Sequence, residues 1–216
     1  MNSFSLTHVG YLAVAAQWTL LLSLMAFAGG ALLGLALALG RVSRIAALRK
    51  ASAAYIQVVQ GTPLLVLLFL SFFGISIMGV NVPPLLAAAL SLTLYTGAFL
   101  GEIWRGCIEA VPRTQWEASE CLGMNRASQY LHVVLPQAAR IAIPPTVGFM
   151  VQVVKNTSLA SVIGFLELSR AGQVVNNSTF QPFTVFLVIA LMYFALCYPL
   201  SVASRHFERK LHVGRQ

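Results

Sequence analysis

Aspartate is absent from the 216 residues, and charge of any kind is scarce: charged side chains make up 9% of the chain and hydrophobic ones 58%. A soluble domain carries roughly 25% charged residues, so there is too little polar surface to cover a globule of this size. The balance of 14 basic to 6 acidic residues leaves a net charge of +8, which fits a nucleic acid or a membrane surface as partner. A water-soluble nucleic-acid binder is disfavoured, because it needs its Lys and Arg set in a polar surface that is missing here. Cys107, Cys121 and Cys197 have neither CxxC spacing nor a neighbouring His, which supports no disulfide frame and no zinc site. No Lys or Arg precedes the first apolar run, so that run is expected to be a retained membrane span rather than a cleaved signal. A Gly-x4-Gly-Lys-Ser/Thr loop is also missing, since none of Lys50, Lys155 and Lys210 follows a glycine, and ATP is not bound here through a P-loop.

What the chain does have is apolar runs of membrane length, about 20 residues each. They lie at about 11–40, 55–77, 84–104, 141–165 and 183–204, the second interrupted by Gly61-Thr62-Pro63. The expected fold is an all-α membrane protein of five transmembrane helices forming a single domain over 1–216. Basic residues are retained on the cytoplasmic side of a membrane. Twelve of the fourteen fall in alternate connections: Arg41, Arg44, Arg49 and Lys50; Arg105, Arg113, Arg126 and Arg140; Arg205, Arg209, Lys210 and Arg215. The N-terminus is therefore expected outside and the C-terminus in the cytoplasm. Within the first span, Gly30-Ala31-Leu32-Leu33-Gly34 is a small-xxx-small pattern that lets helices approach closely.

The segment from Arg105 to Arg140 holds seven charges and is the one connection large enough for structure of its own. Thr114-Gln115-Trp116-Glu117 has capping-box spacing, which predicts a helix starting at Thr114. Gly123 suits the left-handed residue that ends such a helix, and Asn125 suits the cap of a second helix stopping before Pro136. The result is a helix-turn-helix hook over about 114–135. Helices this short gain most of their stability from packing, and Trp116, Leu122, Met124, Tyr130 and Leu131 form an apolar set that calls for a partner. The alternative is an amphipathic loop lying on the lipid surface.

Glu117-Ala118-Ser119-Glu120-Cys121-Leu122-Gly123, followed by Leu135-Pro136-Gln137-Ala138, resembles the EAA loop of ABC-importer permeases. Gln60-Gly61-Thr62-Pro63-Leu64-Leu65, Glu102-Ile103-Trp104-Arg105-Gly106 and Lys155-Asn156-Thr157-Ser158-Leu159 are similar to segments of the polar amino-acid class of those permeases, in the same order. The resemblance implies a bacterial inner-membrane permease subunit that moves an amino acid by alternating access. Its hook would sit in a cleft of a cytoplasmic ABC ATPase. Thr114, Trp116, Glu117, Ala118, Gly123, Leu135 and Pro136 would be the coupling residues, with Glu117 supplying a charge and Gly123 the turn. The resemblance also implies a second permease chain and an extracytoplasmic solute-binding protein. ATP and Mg would be held by the ATPase, with no cofactor in this chain.

Inside the membrane, a charge at mid-span costs roughly 2.5–3.5 kcal/mol on insertion scales. Lys155 is such a charge, with Gln152 one turn before it and Asn156, Thr157 and Ser158 after it. This cluster could line an aqueous path; alternatively Lys155 reaches the surface or pairs with Glu102 or Glu167. Glu102, another candidate for the path, has Arg105 three residues on, the spacing of a helical ion pair. By the resemblance, close relatives usually carry Asn followed by Glu or Gln where this chain has Gly148 and Phe149, which implies either the less polar half of a heterodimer or a less polar substrate, with selection resting mainly with the binding protein. An intramembrane hydrolase would need a nucleophile and base in the bilayer, but His8, His132, His206 and His212 lie outside the predicted spans. A passive channel or assembly subunit is the remaining alternative, and it would not require the hook.

Overall fold

The computed structural model describes residues 4–213, with Arg215 of the predicted basic tail outside them, and every regular element among those residues is helical. In chain order these are α1 (Leu6–Val42), α2 (Ala46–Gly61), α3 (Leu64–Ile77), α4 (Pro84–Glu109), α5 (Arg113–Cys121), α6 (Arg126–Ile163), α7 (Leu168–Thr179) and α8 (Pro182–Val213). Four of them, α1, α4, α6 and α8, are long and apolar enough to cross a membrane. The pair α2 and α3 meets that test only together, as one bent span.

The bend follows from Pro63, which lacks an N–H and drives the residue before it out of the α region. Thr62 is accordingly extended, at φ −105° and ψ 129°, and the axis turns by 101°. Two bonds fasten the corner: Thr62 Oγ1 donates to the Val58 carbonyl at 2.7 Å, and Gln60 Nε2 to the Ala98 carbonyl at 3.4 Å. The predicted second span is thus a pair of helices bent at Pro63, a broken span or a re-entrant loop, whose first helix starts earlier than 55. Arg49 and Lys50 sit on α2 rather than in a loop, because α2 begins at Ala46.

α1 lies along α4 at close range. A Cβ on Gly30 would overlap the Thr96 side chain, one on Gly34 would stand 2.9 Å from Leu100 Cβ, and one on Gly97 would stand 2.7 Å from Leu33 Cδ2. The small-residue pattern read from the sequence is this contact. A core of Leu22, Ala26, Leu68, Leu92, Val153 and Ala160 joins α1, α3, α4 and α6.

α6 departs from expectation. Pro136 does not end a short helix; the rod continues from Arg126 to Ile163, opening into a π turn over Gln129–Val134 and tightening to 3-10 over Thr157–Ile163. The wider π turn immediately before Pro136 relieves the clash between the proline ring and the preceding carbonyls. Pro144 and Pro145 also lie inside this rod, and Ser204 Oγ of α8 donates to the Pro144 carbonyl at 2.9 Å.

The span reading did not anticipate α7. Its Leu168, Ala171, Gly172 and Val175 repeat at helical spacing and are buried, packing with Leu12 and Ala15 of α1 and Val185 and Ile189 of α8.

Candidate functional site

The hook joins α4 to α6 at one end of the bundle. Its first helix, α5, begins at Arg113 with Pro112 as the flanking residue, and no side chain caps it. The capping box at Thr114 does not form: Pro112, with fixed φ, starts the helix one residue sooner and places Thr114 inside the first turn. The other end is as the sequence predicts. Gly123 has φ +71°, its N–H bonds the Glu120 carbonyl at 2.9 Å, and the Met124 N–H bonds the Ser119 carbonyl at 3.2 Å. These two bonds make a Schellman turn. Asn125 Oδ1 then accepts the Ser128 N–H at 2.9 Å, which starts α6.

Part of the apolar set turns inward. Trp116 and Tyr130 meet edge to face with centroids 5.0 Å apart, over a small core of Ile108, Val111, Val134 and Ala138. Ser119, 2% exposed, donates its hydroxyl to the Trp116 carbonyl at 2.7 Å. The buried Gln129 amide reaches the Met124 carbonyl at 3.1 Å. The hook is therefore stiff at its base. At its tip Thr114, Glu117, Ala118 and Gly123 are exposed, and Leu122 is 80% exposed. Leu135 is half-buried and Pro136 exposed, both within α6.

Higher on α6, Gln152 Nε2 donates to Asn156 Oδ1 at 3.0 Å. Gln152 and Lys155 are exposed, and Asn156 and Ser158 are half-buried. Thr157 is fully buried and bonds the Val154 carbonyl at 2.7 Å, while Ser158 bonds the Lys155 carbonyl at 2.7 Å. The cluster thus divides into Gln152, Lys155 and Asn156, which offer polar side chains outward, and hydroxyls spent on the helix's own carbonyls.

Neither acid considered for Lys155 reaches it. Glu102 Oε1 accepts from Arg105 Nε at 2.9 Å, the pairing read from the sequence, and Arg105 also pairs with Glu109. Arg41 of α1 approaches Glu102 Oε2 at 3.7 Å, a tie across two helices that no local spacing could reveal. Glu102 thus belongs to an ion-pair group near the hook rather than to the lysine cluster. Glu167 is fully buried and caps α7: Oε1 accepts the Arg170 N–H at 2.8 Å and Oε2 the Tyr193 hydroxyl at 2.7 Å. The Leu168 N–H beside it bonds Thr19 Oγ1 at 3.1 Å, so α1, α7 and α8 meet at one polar knot.

Phe149, one turn before Gln152, stacks on Phe99 of α4 with centroids 5.5 Å apart and planes at 13°. Separately, an open apolar groove of about 690 Å3 runs between α1, α4 and α6, past Phe27, Leu35, Trp104 and Thr146, and none of the polar cluster lines it.

The chain matches the family described as binding-protein-dependent transport system inner membrane component over residues 30–213. It is 35% identical to a probable glutamine ABC transporter permease protein of Bacillus subtilis, over 89% of each chain. It is also 35% identical to an L-cystine transport system permease protein of the same organism, over 90% of this chain and 83% of that one. Among solved structures, the crystal structure of an amino acid ABC transporter with histidines matches with a TM-score of 0.91 at 32% identity, covering 97% of this chain and 100% of that one.

Proposed function

The chain belongs to the family of binding-protein-dependent transport system inner membrane components, and on that premise we propose that it is the permease subunit of an ATP-driven importer of polar amino acids. It is a transport component and not an enzyme. In this reading all of 1–216 forms one transmembrane domain in a bacterial inner membrane, with the N-terminus outside and the hook and C-terminus in the cytoplasm. Two permease chains, identical or homologous, would enclose a path that opens alternately to each side. An extracytoplasmic binding protein delivers the amino acid, and two cytoplasmic ATPase subunits hold ATP and Mg and supply the work.

The observation that carries this reading is the construction of the hook. The Schellman turn at Gly123 fixes a tip on which Glu117, Ala118 and Leu122 stand uncovered, while Trp116 anchors the base. An isolated loop has no need of a stiff, uncovered tip, whereas a plug for a protein cleft needs both. Thr114 is assigned to the rim of that plug, and Leu135 and Pro136 to the stem that carries it into the membrane. Glu117 provides the charge facing the ATPase. On α6, Gln152, Lys155 and Asn156 are assigned to the path, with Thr157, Ser158 and Glu102 shaping the backbone and bundle around it.

A branched residue at Gly123 tests the reading. A Cβ at positive φ costs about 1–2 kcal/mol, and the space around Gly123 is open, so Gly123→Val strains the turn without a clash. In a reconstituted complex, ATP hydrolysis stimulated by the loaded binding protein is expected to fall severalfold while the complex remains assembled. Unchanged stimulation would count against the hook as the coupling element.

A further inference from the structure

The charges around Lys155 restrict the cargo. We propose that the amino acid admitted beside Lys155 bears a free carboxylate and no net positive charge: a zwitterionic or acidic amino acid, and not a cationic one. This rests on the permease reading above.

An ammonium held within a span is costly, and the ion pairs among the described residues join Arg41 and Arg105 to Glu102 and Glu109, leaving Lys155 out. An anion brought by the cargo would complete it. The lysine's neighbours also favour an acceptor on the ligand: Asn156 Nδ2 is buried without a hydrogen-bond partner, its Oδ1 being already taken by Gln152. An ammonium and a free amide N–H both seek oxygen, as a carboxylate supplies.

The chain has six acids, all glutamates. Glu102 and Glu109 are engaged by arginines near the hook. Glu117 and Glu120 are exposed on the hook itself, and Glu208 lies near the end of α8 that continues past the predicted fifth span. Glu167 is fully buried, with its two oxygens held by Arg170 N–H and Tyr193 hydroxyl. None remains to face a second positive charge on the cargo. One turn before Gln152, Phe149 is stacked face to face on Phe99, so this side of α6 offers no carboxylate to a cationic side chain. A second copy of the chain across the path brings only the same six acids.

The test uses the assembled permease–ATPase complex in nanodiscs, without its binding protein, and equilibrium binding of labelled glutamine. Glutamate is expected to displace the label, and arginine and glutamine α-amide to do so at least tenfold more weakly. Lys155→Met should weaken glutamine binding tenfold or more, with Lys155→Arg restoring most of it, and Phe149→Glu should admit arginine. Arginine binding as well as glutamine in the unaltered complex, or undiminished glutamine binding in assembled Lys155→Met, overturns the proposal. Should the methionine variant fail to assemble, the competition series in the unaltered complex decides alone. A complex that assembles but binds no amino acid also overturns it, whereas failure to associate with any ABC ATPase overturns the permease reading itself.

Discussion

Glu167 shows how much a single side chain can hold when it is buried. Desolvation raises its carboxyl above the usual glutamate value, outweighing the hydrogen bonds from the Ser169 and Arg170 N–H groups, the Tyr193 hydroxyl and Thr19 that favour the anion. The folded protein therefore holds that proton more tightly than the unfolded chain, whose glutamates titrate near about 4.3. Stability from this group is complete below about pH 4.3 and is lost as pH rises through the higher folded value. Glu167→Gln keeps the shape and an acceptor oxygen, so its melting temperature in detergent is expected to lose that part of the pH slope and to equal or exceed the parent's at pH 7. The same slope in both proteins would place its origin elsewhere. Single residues were also where sequence reading was most uneven. Gly123 and Asn125 were legible because each acts on backbone groups within a few positions of itself. Thr114 was misread as a cap because the proline before it begins the helix first. The Arg41–Glu102 approach was invisible because its partners are sixty-one positions apart in the chain.

Between helices, the contact of α1 with α4 depends on what is missing from its glycines. Replacing Gly30 with Val would drive a branched side chain into Thr96, and overpacking of this kind typically costs about 1–3 kcal/mol. Gly30→Val is expected to lower the melting temperature and the yield of assembled complex. Gly10→Val, at a position with no neighbour within 4 Å, serves as the comparison. Equal behaviour of the two would deny the close approach any role. The long apolar helices were legible because a span must be continuously hydrophobic. α7 was not, since its 12 residues bury only one face and its exposed side reads as an ordinary connection. The break between α2 and α3 was visible at Pro63, but its right-angle geometry was not. Proline forbids the helix from continuing without dictating where the next segment goes. Pro136 taught the reverse, as a π turn can absorb a proline that a regular helix could not.

Across the whole molecule, the proposed topology would set twelve of the fourteen basic residues on the hook's side of the membrane, and the native cysteines offer a direct check. Cys121 is exposed on the hook, while Cys107 and Cys197 are buried. A membrane-impermeant maleimide is expected to label the protein at Cys121 from the cytoplasmic face only, and bound ATPase should slow that labelling. Modification of Cys121 from the outside of intact cells would reverse the orientation. α6 runs without a break from the hook to the polar cluster. The distance from Arg126 to Lys155 along it is about 44 Å at 1.5 Å per residue, so a tilt of about 5° pivoting near the hook swings Lys155 sideways by about 4 Å. In the proposed transporter the helix would act as a lever arm with its load at the lysine, its short end braced where Trp116 packs on Tyr130 of the π turn. Nucleotide-driven movement of the hook would reach the path as leverage, with no relay of loosened contacts in between.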